Sequence, residues 1–339
     1  MSLQPPHAFF FPTRVIIVDD DLPYIKIILN LLNHDKATFK LSADSLKVSN
    51  YLLTQYQRRQ FLQDAVTRPE TGLNQARVDI DIQKIPKIVY NPNRFIEITA
   101  LVTDFNMPKQ NGQQLCEKII ELPIKKLMMT SEADEKLAVN LLNQSVINRF
   151  IKKAKSAHSE MSFVEELEAM IVDLQESYFA EESHELINAL VSVNDYNSAC
   201  IKKPEFIELF HRIVREKSIC EYYLIDITGS YLMLNASGVQ SYLLLQSQDD
   251  MRTAIELIEC SENPNLALLE AIKKGEKILY WDLSEDFPST PEEQLNHSYS
   301  AQKVGNYYYS YVTKNILNLD QSKILSYREF LKHDSSVMF

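Results

Sequence analysis

The sequence predicts an α/β protein: a doubly wound parallel five-stranded sheet, followed by a helical connector and a smaller α+β domain with an antiparallel sheet. Three observations carry this. Short apolar runs alternate with amphipathic helical stretches through the first half of the chain. Several of those runs end on an acid, a hydroxyl or a lysine. Beyond Tyr222 the pattern changes to closely spaced strands separated by glycine-containing turns.

The first run, Arg14-Val-Ile-Ile-Val18, ends at Asp19-Asp20-Asp21 and reads as a buried parallel strand. Pro23 opens a helix with Ile25, Ile28, Leu29 and Leu32 on one face. A second strand is expected near Thr38–Leu41. Strand character returns at Ile98–Thr103, ending at Asp104, and a helix follows from Gln113 to about Leu122. A strand at Lys126–Met129 ends at Thr130, a helix covers Asp134–Asn143, and a strand at Arg149–Ile151 ends at Lys152-Lys153. Phe163, Leu167, Met170, Ile171, Leu174 and Tyr178 form a helical stripe of more than four turns. Its far end, near Leu174 and Tyr178, is expected to run past the sheet. There it would meet either the same helix in a second copy, giving a homodimer, or the helix carrying Phe206, Leu209, Phe210 and Ile213. Strands at Tyr222–Asp226, Tyr231–Asn235 and Ser241–Gln246 suggest a meander. Helices near 250–259 and 265–274 and strands at Lys277–Trp281 and Tyr307–Val312 complete the second domain. The resulting division is residues 13–180 for the first domain, 181–218 for the connector and 219–339 for the last. Residues 66–97 are an insertion before the third strand.

Composition narrows the function. With 339 residues and 45% apolar content the chain can build two cores. No apolar run reaches the roughly 18 residues of a membrane span, and the start lacks a secretory pattern. Cys116, Cys200, Cys220 and Cys260 are scattered, as in a reduced, cytoplasmic protein. A net charge of −11 argues against a nucleic-acid surface. Residues 219–339 hold 9 Lys/Arg against 17 Asp/Glu, so no basic recognition helix is present and no DNA binding is expected. The six glycines are dispersed, which excludes a phosphate-cradling glycine loop.

In an open parallel sheet, ligands bind at the C-terminal ends of the strands. Asp19, Asp20 and Asp104 converge there. Crowded carboxylates need a cation, and hard oxygen donors with open positions suit Mg²⁺. One carboxylate can then act as a nucleophile and form an acyl phosphate. Thr130 can donate to a phosphate oxygen, and a lysine at the last strand can pair with it. A strand-end Asp also resembles the catalytic aspartate of the haloacid-dehalogenase phosphatases, a family that needs a second Asp two residues on as general acid and base. That position is Asn106, which cannot exchange a proton near neutral pH.

The motifs resemble those of the response-regulator receiver family, with its flavodoxin-like fold. Ile17-Val-Asp19-Asp20 resembles the metal-binding acid pair. Val102-Thr-Asp104-Phe-Asn-Met-Pro108, with Gly112, resembles the phosphoacceptor loop of chemotaxis-type receivers. Met128-Met-Thr130-Ser-Glu-Ala133 resembles the switch-threonine segment. The resemblance covers roughly residues 14–180. It implies Asp19, Asp20, Asp104 and the backbone carbonyl of Asn106 at Mg²⁺, with Asp104 as phosphoacceptor. Counting from Thr130 lands on Lys152. Phe150-Ile-Lys-Lys153, however, resembles the family's aromatic-x-x-Lys, which favours Lys153 and sets Phe150 at the aromatic switch position. The family's usual proline after this lysine is replaced by Ala154. Tyr90-Asn-Pro-Asn-Arg94-Phe95 and Leu224-Ile-Asp226-x-x-Gly229-Ser230 resemble segments of longer response regulators with an uncharacterised output region.

The function implied is a cytoplasmic, Mg²⁺-dependent phosphorelay response regulator. Its partners are a sensor histidine kinase or phosphotransfer protein and an unknown downstream protein. The output reads as protein interaction or ligand sensing. The alternative is an enzymatic output of unrecognised chemistry, with acids Asp282, Glu285 and Asp286 as its only pointer. A deep pocket with polar groups would favour ligand sensing or an enzyme; a flat apolar face would favour protein interaction.

Overall fold

A computed structural model describes residues 3–56, 61–63, 65–67, 79–131, 135–153, 157–193, 198–281 and 286–334. In chain order, the first half contains β1 (Phe9–Phe10), β2 (Thr13–Val18), α1 (Leu22–Leu31), β3 (Ala37–Ser42), α2 (Ser45–Thr54), β4 (Val66–Thr67) and β5 (Asp79–Ile80). It continues with β6 (Ile98–Asp104), α3 (Gly112–Lys118), β7 (Lys125–Thr130), α4 (Glu135–Asn143), β8 (Arg149–Lys152) and α5 (Ala157–Val193). The second half has α6 (Pro204–Glu216), β9 (Ile219–Leu224), β10 (Tyr231–Asn235), β11 (Gln240–Gln246), α7 (Gln248–Glu259) and α8 (Leu266–Lys273). Last come β12 (Lys277–Leu279), α9 (Pro291–Asn296), β13 (Ser298–Ser300), β14 (Gln302–Val304), β15 (Tyr307–Val312) and α10 (Tyr327–His333).

The chain forms two units that are interlaced in sequence. The parallel-sheet unit is Phe11–Phe61, Pro92–Glu182 and Tyr327–Phe339; the antiparallel-sheet unit is Met1–Phe10, Leu62–Asn91 and Ser183–Ser326.

The parallel unit has the expected five strands, in the order β3-β2-β6-β7-β8. Alternation along each strand feeds two cores. Val15 and Ile17 of β2 join Val102, Leu127 and Met129 beneath α1 and α5, whereas Ile16 and Val18 join Leu101 and Met128 beneath α2, α3 and α4. Each such fully buried aliphatic side chain contributes roughly 1.5–3 kcal/mol. Local capping fixes where helices begin. Asp21 accepts the Tyr24 amide at 3.0 Å to cap α1, with Pro23 in its first turn. Asn111 and Gln114 form a reciprocal capping box on α3.

Two expectations fail here. Leu174 and Tyr178 do not overhang the sheet. Leu174 is part of the core beneath α1 and α5, and Tyr178 is buried with its hydroxyl donating to Glu97 Oε1 at 3.1 Å. The helix is far longer than the stripe suggested, 37 residues, and the stripe as far as Tyr178 is packed within this unit. The end of the chain also belongs here rather than to the last domain. Tyr327 and Phe330 of α10 each lie 5.2 Å from the Phe95 ring, and Arg14 Nη2 reaches both carboxylate oxygens of Asp334 at 2.8 Å.

The antiparallel unit has a six-stranded sheet in the order β1-β9-β10-β11-β15-β14. The meander is as expected, with β9-β10-β11 antiparallel throughout. Phe210 of α6 packs edge-on against Tyr222 and Tyr231 at 5.0 and 4.9 Å. Residues 181–218 are therefore not a separate connector, since α6 is part of this core. The outer strand β1 pairs Phe9 with Tyr223 and Phe10 with Tyr222. The expected insertion also divides differently. Leu62–Asn91 belongs to this unit, burying Ile85, Ile88 and Val89, and Tyr90 accepts the Asp320 amide at 2.8 Å. Asp282 and Glu285 lie outside the described residues.

Candidate functional site

The order of the parallel sheet reverses at β2, so β6 lies beside it and their C-terminal ends form a crevice. Val18 is in register with Thr103, which sets Asp19 beside Asp104. Asp104 is in register with Met129, and Thr130 with Lys152, which brings Thr130 and Lys153 to the same edge. The oxygens of Asp19, Asp20 and Asp104 lie within 4.8 Å of one another. Asp19 is fully buried, Asp104 nearly so, and Asp20 is exposed. Asp21 is absent from the cluster because its carboxylate caps α1.

The Lys153 ammonium lies 2.7 Å from Asp19 Oδ2 and 2.7 Å from Asp104 Oδ1. Backbone amides complete the hold: Asp21 N–H donates to Asp19 Oδ1 at 2.9 Å, and Asn106 N–H to Asp104 Oδ2 at 3.1 Å. Burial pushes the Asp19 carboxyl above the usual carboxylate range, outweighing the hydrogen bond and charge of Lys153. Burial works against the Lys153 ammonium too. Its hydrogen bonds to Asp104 and Asp19, and their charges, more than compensate, so its pKa is raised. Lys152 is turned elsewhere, paired with Glu135 at 2.8 Å. Of the two lysines left open by the sequence, Lys153 is the one at the carboxylates.

Thr130 is 1% exposed, and its hydroxyl has no hydrogen-bond partner among the described residues. A buried hydroxyl without a partner is costly, so this one stands ready for an acceptor. Phe150 is half-buried on β8, against the core beneath α2, α3 and α4. Residues 132–134 and 154–156, which include Glu132, Ala133 and Ala154 of the motifs, lie outside the described residues.

Two neighbours were not legible in the sequence. The Tyr24 ring centre is 5.3 Å from Lys153 Nζ, a cation–π contact made by the first turn of α1. Gln110 braces the loop after Asp104 against α2. Ser45 Oγ donates to its carbonyl at 2.5 Å, while Ser49 Oγ and Lys118 Nζ donate to its side-chain oxygen at 3.2 and 3.0 Å. A tyrosine after a proline and a glutamine in a polar loop carry no distinguishing pattern.

The donor set suits Mg²⁺. Three carboxylates offer hard oxygens, one lysine neutralises only part of their charge, and the exposed Asp20 leaves the cluster open to water.

No family model matches the chain, and no curated protein matches it. Among solved structures, the Legionella pneumophila response regulator LqsR is 28% identical, with 98% of each chain covered and a TM-score of 0.79. An adenylate cyclase structure from Rhodopirellula baltica is 14% identical, covering 52% of this chain and 98% of that one, with a TM-score of 0.35. The signal receiver domain of a putative Luxo repressor protein from Vibrio parahaemolyticus is 12% identical over 50% of this chain and 95% of that one, with a TM-score of 0.34. With the acid cluster at the strand ends and a match over nearly the whole length of both chains, this protein is a chemotaxis-type receiver domain with a flavodoxin-like sheet, fused to a C-terminal domain in the response-regulator architecture of the Legionella protein.

Proposed function

We propose that the chain receives a phosphoryl group on Asp104 from a sensor histidine kinase or phosphotransfer protein and signals through its antiparallel-sheet unit, in the cytoplasm. The observation that carries this is the Lys153 ammonium, 2.7 Å from both Asp104 and Asp19, beside the buried Thr130 hydroxyl, which has no partner among the described residues. Mg²⁺, held by Asp19, Asp20, Asp104 and the Asn106 carbonyl, would supply charge neutralisation at the transferring phosphoryl group. Asp104 supplies the nucleophilic oxygen. The new bond forms from that oxygen to phosphorus as the bond from phosphorus to the donor histidine nitrogen breaks. Lys153 neutralises charge on the phosphoryl oxygens, and the Thr130 hydroxyl donates to one of them. Thr130 then moves toward the phosphoryl group, and Phe150 follows into the vacated space. Among the described residues, no helix is long and apolar enough to cross a membrane.

The test is labelling by a small phosphoryl donor with and without Mg²⁺. Wild-type protein should label only with the cation, Asp104→Asn should not label, and Asp20→Asn should label weakly. Full labelling of Asp104→Asn would refute the assignment. The downstream function is read as ligand sensing rather than DNA binding, since the antiparallel unit carries a cavity with a charged wall.

A further inference from the structure

The antiparallel-sheet unit contains a cavity of about 220 Å³. Four stretches distant in sequence wall it, one of them contributing Tyr280 just after β12. Ile82 and Pro86 come from the segment that interrupts the parallel sheet, Ile225 from the end of β9, and Leu317 and Leu319 from the chain after β15. The lining is mostly apolar; its polar members are one carboxylate, Asp226, one phenol, Tyr280, one amide, Gln83, and one ammonium, Lys87.

Asp226 is held on every side by neutral donors. Its Oδ1 accepts the amides of Thr228, Gly229 and Ser230 at 2.9, 2.9 and 3.0 Å, which closes the turn into β10. Its Oδ2 accepts the Tyr280 hydroxyl at 2.7 Å and keeps a further acceptor site. No cation lies within ion-pair distance of Asp226 among the described residues. Lys87, at the same cavity, is exposed and pairs with no acid among them. A turn alone needs only Oδ1. The second oxygen, fixed by Tyr280 in an apolar wall, is an arrangement for recognising a donor on a bound molecule. Burial lifts the Asp226 carboxyl above the usual carboxylate range despite these hydrogen bonds, which is the imbalance a bound cation would correct.

We propose that this cavity binds a small molecule with a primary ammonium group and a short aliphatic body, the ammonium donating to Asp226 and the aliphatic part lying against Ile82, Pro86, Ile225, Leu317 and Leu319. A free amine and an aliphatic amino acid share this chemistry. Lys87 at the cavity would take the carboxylate of the amino acid. This deepens the ligand-sensing reading of the antiparallel unit and does not depend on phosphorylation of Asp104.

The experiment is calorimetric titration of the full-length protein with isopentylamine, L-leucine and, as a neutral isostere, isopentanol. Either ammonium compound should bind at least tenfold more tightly than the alcohol. Binding of leucine but not the amine assigns Lys87 a part; binding of the amine alone does not. Asp226→Asn keeps an oxygen for the turn, and Asn suits such turns, so the fold should hold. This variant should lose at least tenfold in affinity for the ammonium compound. Ile227 is 42% exposed and lines the cavity, so Ile227→Trp should block binding without disturbing the core. Equal binding of alcohol and amine, an unchanged affinity in Asp226→Asn, or no binding of either ammonium compound overturns the proposal. Labelling of Asp104 on the same preparation separates this failure from failure of the phosphoacceptor reading.

Discussion

A Cβ atom on Gly112 would lie 2.2 Å from the backbone carbonyl oxygen of Asp104. The helix α3 thus starts against the strand end that carries Asp104, and the Gly112 amide donates to the Phe105 carbonyl at 2.9 Å across the same turn. No real Cβ tolerates such a contact with main chain, so the loop carrying Asp104 would have to shift. Gly112→Ala should therefore lower unfolding free energy by about 1–3 kcal/mol and reduce labelling of Asp104. Denaturant melts and phosphoryl labelling measure the two effects. Wild-type values in both would show that the approach is not tight.

Lys153 and Lys152 make opposite predictions although they are adjacent. Lys153 touches Asp19 and Asp104, whereas Lys152 pairs with Glu135, and both members of that pair are about half exposed. An exposed pair of this kind contributes little, on the order of 0–1 kcal/mol. Lys153→Met should slow phosphoryl transfer to Asp104 by roughly 100-fold, the scale of removing one donor from a preorganised charge-stabilising site. Lys152→Met should stay within a few-fold of wild type. Initial rates of labelling decide it, and the reverse ranking would move the role to Lys152.

Cation binding offers a readout that needs no phosphoryl donor. A ligand that binds only the folded state stabilises it by about 2.7 kcal/mol at 100 times its Kd. Millimolar Mg²⁺ should raise the thermal midpoint of the wild-type protein, and a chelator should reverse the rise. Asp20→Asn removes one oxygen donor from the cluster and should reduce the Mg²⁺ shift, while Lys152→Met should keep it. An identical shift in wild type and Asp20→Asn would take Asp20 out of the metal site.

The site was legible in the sequence because its residues sit at strand ends. A short continuous apolar run fixes which residue closes or follows the strand, and Asp19, Asp104, Thr130 and Lys153 all occupy such positions. The partition of the chain was not legible, because it depends on pairings far apart in sequence. Nothing near Phe9 and Phe10 announces that they pair with Tyr223 and Tyr222. The short helix at Tyr327–His333 gives no local sign that Asp334 meets Arg14 at one end of the parallel sheet. Leu174 and Tyr178 were misplaced for a related reason. Periodicity shows that a helix has an apolar face, but not what covers it. Here Leu174 joins the sheet core, and Glu97, fully buried, accepts both the Tyr178 hydroxyl and, at 2.6 Å, that of Tyr56.

The remaining prediction concerns how phosphorylation leaves the site. Thr130 closes β7, and Phe150 lies on the neighbouring strand β8, where Met128 is its register partner. The Thr130 hydroxyl is buried without a partner among the described residues, so a phosphoryl oxygen on Asp104 would give it a new hydrogen bond. That difference is what a population shift requires. Movement of Thr130 toward Asp104 opens space beside β8, and the half-buried Phe150 ring can turn inward to fill it. A phosphate mimic bound at Asp104 should therefore change the environments of Thr130 and Phe150 together, as seen by side-chain NMR. Thr130→Ala should still accept the phosphoryl group, more slowly, but the Phe150 signal should no longer respond. If the mimic leaves both residues in place in the wild-type protein, or if Phe150 still responds in Thr130→Ala, the signal leaves the site by another route.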